Sequence, residues 1–333
     1  MEIARYLDRP KDALKHVFPN VVLARWRNRP TDELLERLEV LDACGPDPSD
    51  YRTAGRVRLL RARKAAWETY LDAAFSCGMF EGKRGVDLLA RLRSQDANDF
   101  RSAIAECLVC WFFAGRLNLP VRAVATNDLG PSPDLQIVLP QGLASIEVKS
   151  PFRERPKTRI WWGDESDKVA QCIHQANKQF AVDGPNIVVL VPKLRRSLID
   201  DRDSLIRAAY GQTRITARFD PTTGVAGPAT AEYFPNGKFL NNVLPNGKPL
   251  KPDLLPAYRR ISAILCVEER PHVIWNNGAR RMFVQDCWLK HDVLVLHNPN
   301  AHDRISVDVF EEYPQFVEVG NSMEWTDGHD VFV

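Results

Sequence analysis

The segment Pro133-Asp134-Leu135-Gln136-Ile137-Val138-Leu139 is apolar but opens on an acid. The next apolar run, Ala144-Ser145-Ile146-Glu147-Val148-Lys149-Ser150, carries an acid and a base. Glu147 and Lys149 are two apart, so on a strand their side chains leave the same face. Asp134 can lie beside them. Such a group is costly to desolvate, and a divalent metal would compensate that cost. Phosphodiester hydrolysis asks for hard oxygen ligands, a metal to polarise phosphate, and a cation for the developing negative charge. Asp134 and Glu147 supply oxygens, and the Val148 carbonyl can supply another. Lys149 can orient the attacking water or steady the transition-state charge. Ligands of this kind suit magnesium or manganese. The competing reading is a salt-bridged sheet edge, with Glu147 paired to Lys149 or an arginine and Asp134 capping a turn.

The elements that must position these groups follow from the pattern around them. Val, Ile and Leu make both runs strands, and Gly142 between them favours a hairpin. Before them, Asn98-Asp99 starts a helix that runs through Phe100, Ile104, Leu108, Trp111 and Phe112 and ends near Gly115-Arg116. Its apolar content sets it against a sheet. Glu106 sits in its middle, where it could hold a second ion or a water. Leu119 to Thr126 reads as a strand, and Asn127 to Ser132 as a turn. Pro151 to Trp162 alternates bases with other residues and ends in two tryptophans, a composition that could track a nucleic-acid strand or pin a loop. A helix from Asp164 to Val182 carries Gln171, Gln175 and Gln179 as a polar stripe, able to orient a water or a phosphate and equally at home on a helix surface. Asn186 to Pro192 is a continuous apolar run, as in a strand buried on both faces.

Elsewhere, Thr31 caps a helix bearing Leu34, Leu35, Leu38 and Leu41, and a second helix spans about Gly55 to Phe75. Between Arg52 and Lys64 the chain holds six basic residues and no acid, a run that could touch phosphate or form a solvated face. Glu81-Gly82-Lys83-Arg84-Gly85 reads as a turn, and Asp87 to Arg93 as a short helix. A helix is expected from Ser197 to Tyr210. Two Pro-Asn-Gly-Lys repeats, at 235 and 245, predict an antiparallel ribbon within 213–256. Strands are expected at Ile261–Val267, His272–Trp275 and His291–His297, and a tail from Glu311 that wraps the surface.

The chain has 333 residues, a net charge of +2 and seven cysteines. That balance gives no global attraction to nucleic acid, so any must be local. The charged start and the want of a membrane-length apolar run suggest a cytoplasmic protein with reduced thiols and no membrane partner. Cys107 and Cys110 lack a second ligand pair for zinc. With no His-x-x-x-His and no Gly-x-Ser-x-Gly, metalloprotease and serine-hydrolase chemistries are unsupported.

Taken together, the helix acid Glu106, Pro133-Asp134 and Glu147-Val148-Lys149 resemble the PD-(D/E)xK nuclease superfamily over about residues 98–191. The resemblance implies an α/β fold with a restriction-endonuclease-like core, a central mixed sheet flanked by helices. A helical region, 1–95, would precede a domain over 96–333 that includes the ribbon. It implies Asp134, Glu147, the Val148 carbonyl and Glu106 around Mg2+ or Mn2+, with Lys149 catalytic and Gln171 or Gln175 as the helix glutamine. The tyrosine that exonuclease-like branches place one turn after that glutamine is missing. The implied partner is nucleic acid, DNA before RNA, with a possible homodimer. Some relatives keep the fold and only bind nucleic acid or serve as scaffolds.

Overall fold

Pro140 and Gln141 turn the chain between strands β2 (Leu135–Leu139) and β3 (Gly142–Lys149), which pair antiparallel with Leu139 opposite Gly142. Gly142 has φ +131, a conformation that a Cβ would disfavour. In this computed structural model, residues 12–45, 51–124, 132–152, 165–180, 184–194, 197–219, 226–234, 239, 258–278, 281–319 and 322–326 are described. The other strands are β1 (Val121–Ala123), β4 (Asn186–Leu190), β5 (Gln212–Phe219), β6 (Ala226–Phe234), β7 (Ala263–Gly278), β8 (Arg281–His297), β9 (Gln315–Val319) and β10 (Ser322–Thr326). The protein is α/β: eight strands form a mixed sheet in the order β1-β2-β3-β4-β7-β8-β9-β10. The β4–β7 and β8–β9 pairs are parallel, while β1–β2, β2–β3 and β9–β10 are antiparallel.

The chain divides into two compact units, one of Met1–Ser150 with Val267–Asp292, the other of Pro151–Cys266 with Val293–Val333. The first holds helices α1 (Ala13–Val17), α2 (Asn20–Asn28), α3 (Asp32–Asp42), α4 (Tyr51–Ser76), α5 (Gly82–Leu92) and α6 (Ala97–Trp111). Thr31 caps α3 by accepting from the Leu34 amide, and Asp96 caps α6 through the Asn98 and Asp99 amides. Helix α6 packs against α4, α5 and β3, burying Phe100, Ala103, Cys107, Leu108 and Cys110. After Trp111 it widens into a π-turn over Phe112–Arg116.

The second unit is built around α7 (Ser166–Asn177), α8 (Arg202–Ala209) and β4. Val169, Ile173 and Ala176 of α7 share a core with Val188, Leu190, Leu205, Ile264 and Leu296. Every residue of β4 is buried, the apolar 187–190 as a covered strand requires and Asn186 with its side chain donating to the Gly184 and Arg260 carbonyls. Among the described residues, no helix is long and apolar enough to cross a membrane.

Several expectations are corrected. Glu81–Gly85 is no turn: α5 starts at Gly82 and continues to Leu92, absorbing the short helix expected at Asp87. A Cβ at Gly85 would overlap the Phe80 carbonyl, so this glycine permits close backbone approach rather than a bend. The segment at 272–275 belongs to the long strand β7. The tail supplies β9 and β10 to the sheet, with Gln315 and Val317 buried. Within the stretch expected to form a ribbon, β5 and β6 pair antiparallel, Gln212 opposite Phe234. Both Pro-Asn-Gly-Lys repeats lie outside the described residues, as do 125–131, most of the basic tract at 153–162, and both ends of the helix expected over 164–182.

Candidate active site

The hairpin and α6 bring the acids together. The Asp134 amide donates to the Ile146 carbonyl at 2.8 Å, and Asp134 Oδ2 accepts from the Val148 amide at 2.8 Å. Asp134 is thus tied to the residues on either side of Glu147. Lys149 and Glu147 share a face of β3, with Nζ 2.6 Å from Oε1. Glu106 enters from α6, which packs on β3, and is only 3% exposed.

Two arginines of α5 complete the cluster. Arg84 donates to the Val124 and Pro133 carbonyls at 3.2 and 2.9 Å and to Asp134 Oδ1 at 2.9 Å. Its guanidinium also lies 3.7 Å from Glu106 Oε2. Arg91 grips both oxygens of Glu106, at 2.6 and 3.2 Å, and reaches Asp87 at 2.9 Å. Sequence reasoning missed both arginines, because Arg84 lay in the supposed turn. The available signal was their spacing: seven residues is two helical turns, so both share the face of the buried Leu88.

The electrostatics follow from burial and crowding. Desolvation, and then the neighbouring Glu147 charge, push Asp134 up to about 6. Desolvation followed by Asp134 raises Glu106. Desolvation also raises Glu147, against the pull of Lys149 and with Glu106 adding to it. Asp134, Glu106 and Glu147 are paired with Arg84, Arg91 and Lys149 respectively. One atom is left over: Glu147 Oε2 is buried and, among the described residues, has no hydrogen-bond partner.

That atom tests whether a cation suits the site. Among the described residues, no three His, Cys, Asp or Glu side chains are arranged to hold a metal ion. Magnesium does not require three, since it keeps several waters and is commonly held by one or two carboxylates plus substrate phosphate. Of the expected ligands, Glu147 offers an open oxygen, Oε2, whereas Asp134 already accepts from Arg84 at Oδ1 and from the Val148 amide at Oδ2. Glu106 is likewise engaged at both oxygens, by Arg91. Gln171 and Gln175 are exposed on α7, in the second unit.

His297 and Asn298 are tied into the surrounding strands and loops. His297 Nε2 lies 2.7 Å from Gln315 Oε1, and burial lowers its pKa against the effect of that bond. Asn298 donates to the Tyr258 and Ile261 carbonyls at 3.0 and 2.7 Å. Cys107 and Cys110 are buried thiols.

Comparison of the chain with family models, with curated proteins and with solved structures gave no match.

Proposed function

We propose that the hairpin cluster is the active site of a Mg2+- or Mn2+-dependent nuclease, built on a restriction-endonuclease-like core and acting on DNA before RNA. The observation that carries this reading is the buried Glu147 Oε2, which lacks a partner among the described residues and sits amid mutually repelling carboxylates. Such an atom costs about 1–3 kcal/mol or more unless something binds it. Asp134, Glu147 and the Val148 carbonyl would hold the ion, which when bound supplies Lewis acidity to the phosphodiester and the attacking water. Lys149, with a side chain 21% exposed, can leave Glu147 to face the developing phosphate charge or to orient a water. Arg84 anchors Asp134, and Arg91 holds Glu106 behind it. In this reading the protein works in the cytoplasm, and a homodimer would present two sites to a duplex.

A second reading is favoured by these pairings. With each acid already beside its own base, the cluster could be the core of a binding or structural module without catalysis. Circular single- and double-stranded DNA and RNA, incubated with magnesium, manganese or chelator, separate the two. The nuclease reading expects metal-dependent cleavage, lost by at least 100-fold in Lys149→Ala and Asp134→Ala proteins, the range of one electrostatic stabiliser. Cleavage that survives both substitutions, or none with any substrate and metal, overturns it.

A further inference from the structure

The first unit contains a groove that shares no residue with the carboxylate cluster. Helix α4 lines one side with Arg58, Arg61, Ala62, Ala65, Ala66 and Thr69. These positions recur at three and four residues and form one helical face. A helix turned toward the body of a protein ordinarily fills such a face with large apolar side chains. Here it carries alanines, and a groove of about 620 Å³ remains, within the size range of small-ligand sites.

Aromatic rings form much of the remaining lining. Trp111 and His291 stand 4.6 Å apart between ring centroids, and Tyr70 lies 5.4 Å from Trp111. Trp288, 40% exposed, is the outer ring and sits 4.5 Å from His272. The buried Tyr70 hydroxyl is 2.7 Å from Glu269 and 2.5 Å from His291 Nε2, which orients that imidazole at the groove wall. Charge is also sorted along α4. Arg56 and Arg63 pair with Glu39 and Glu36 of α3, and Arg61 donates to the Gly45 carbonyl; Arg58, Arg61 and the acid Asp286 all line the groove.

A shallow alanine floor, indole and imidazole rings, and two guanidinium groups suit a flat ring that carries negative charge. We infer that this groove binds a nucleotide unit, with the base against Trp111 or Trp288 and the phosphate near Arg58 and Arg61. Base stacking on aromatic side chains tolerates every base, and arginine adds its charge and its own planar face. The inference goes beyond the proposed nuclease and does not depend on cleavage. The unit could be a free mononucleotide or an unpaired residue of a single strand.

The test is equilibrium binding to the full-length protein in chelator, read by tryptophan fluorescence and calorimetry. The probes are UMP, AMP, uridine, inorganic phosphate and a ten-residue oligothymidylate. Ala65→Leu fills the groove at an exposed helical position where leucine is nearly as favourable as alanine, so the fold and its melting temperature should be unchanged. Binding of UMP, AMP or the oligonucleotide should weaken at least tenfold in Ala65→Leu protein. Uridine should bind the wild type more weakly than UMP, and Arg58→Ala should shrink that difference. Mononucleotide binding sensitive to Ala65→Leu indicates a free nucleotide. Sensitivity seen only with the oligonucleotide indicates an unpaired residue of a strand. No binding by UMP, AMP or the oligonucleotide, or binding unaffected by Ala65→Leu, overturns the proposal.

Discussion

Replacing Glu147 by glutamine tests the cluster most directly, because the two readings of it predict opposite signs. Among the described residues the buried Oε2 has no partner, a cost of about 1–3 kcal/mol for a polar group and more for a charged one. Glutamine removes that charge and puts an amide donor near the other carboxylates. It keeps an acceptor for Lys149, which stands 2.6 Å from Oε1 with a side chain 21% exposed. The ion pair so lost is worth about 1 kcal/mol at such partial exposure. The net expectation is a Glu147→Gln protein more stable than wild type by about 1 kcal/mol in chelator, or roughly 2 °C in melting temperature. Manganese should reverse the order. Wild type should gain about 2.7 kcal/mol at a hundredfold excess over Kd, and the variant should gain little. The assay is urea unfolding and calorimetry of both proteins in chelator and in manganese. Glu147 is also, after burial, the main cause holding Asp134 up to about 6, so the Asp134 carboxyl, followed by NMR, should titrate lower in the variant. A variant less stable than wild type by more than about 1 kcal/mol in chelator, with no manganese effect on either protein, would refute the reasoning. Glu147 would then exist to pair Lys149.

Further outcomes follow from the surrounding contacts. Arg84→Met should cost about 3–5 kcal/mol by urea unfolding, the range for breaking a buried ion pair, because it strips Asp134 Oδ1 and the Pro133 carbonyl of their donor; a loss under about 1 kcal/mol would contradict that role. Gly85→Ala should cost about 3 kcal/mol or more through overlap with the Phe80 carbonyl, although alanine is the better helix former; an unchanged melting temperature would show that α5 does not lie so close. His297 is held below its ordinary 6.5 by burial. Its folded form therefore resists protonation, and its contribution is present above about pH 6.5 and lost as pH falls through its depressed value. The stability difference between wild type and His297→Gln should accordingly shift against wild type between about pH 7 and 5 in unfolding titrations, whereas a constant difference would show that His297 titrates normally.

Local chemistry alone determined the hairpin, the Thr31 cap and the continuous strand at 186–190, because each rests on neighbours in the chain: Gly142 at the turn, a hydroxyl before a helix, an apolar run bounded by Gly and Pro. The common face of Glu147 and Lys149 was equally legible, since strand periodicity depends on two adjacent peptide units. The arginines that face the acids were not. Gly82 and Gly85 look like turn residues until it is known that the Phe80 backbone occupies the space beside Gly85. Likewise, the polar tail gave little sign of β9 and β10, because a strand at a sheet margin takes its hydrogen bonds from a partner distant in sequence. Residue types and spacing thus specify which groups are able to react. Which charges neutralise them, and whether one oxygen is left over, is a property of packing between segments that no single stretch of chain contains.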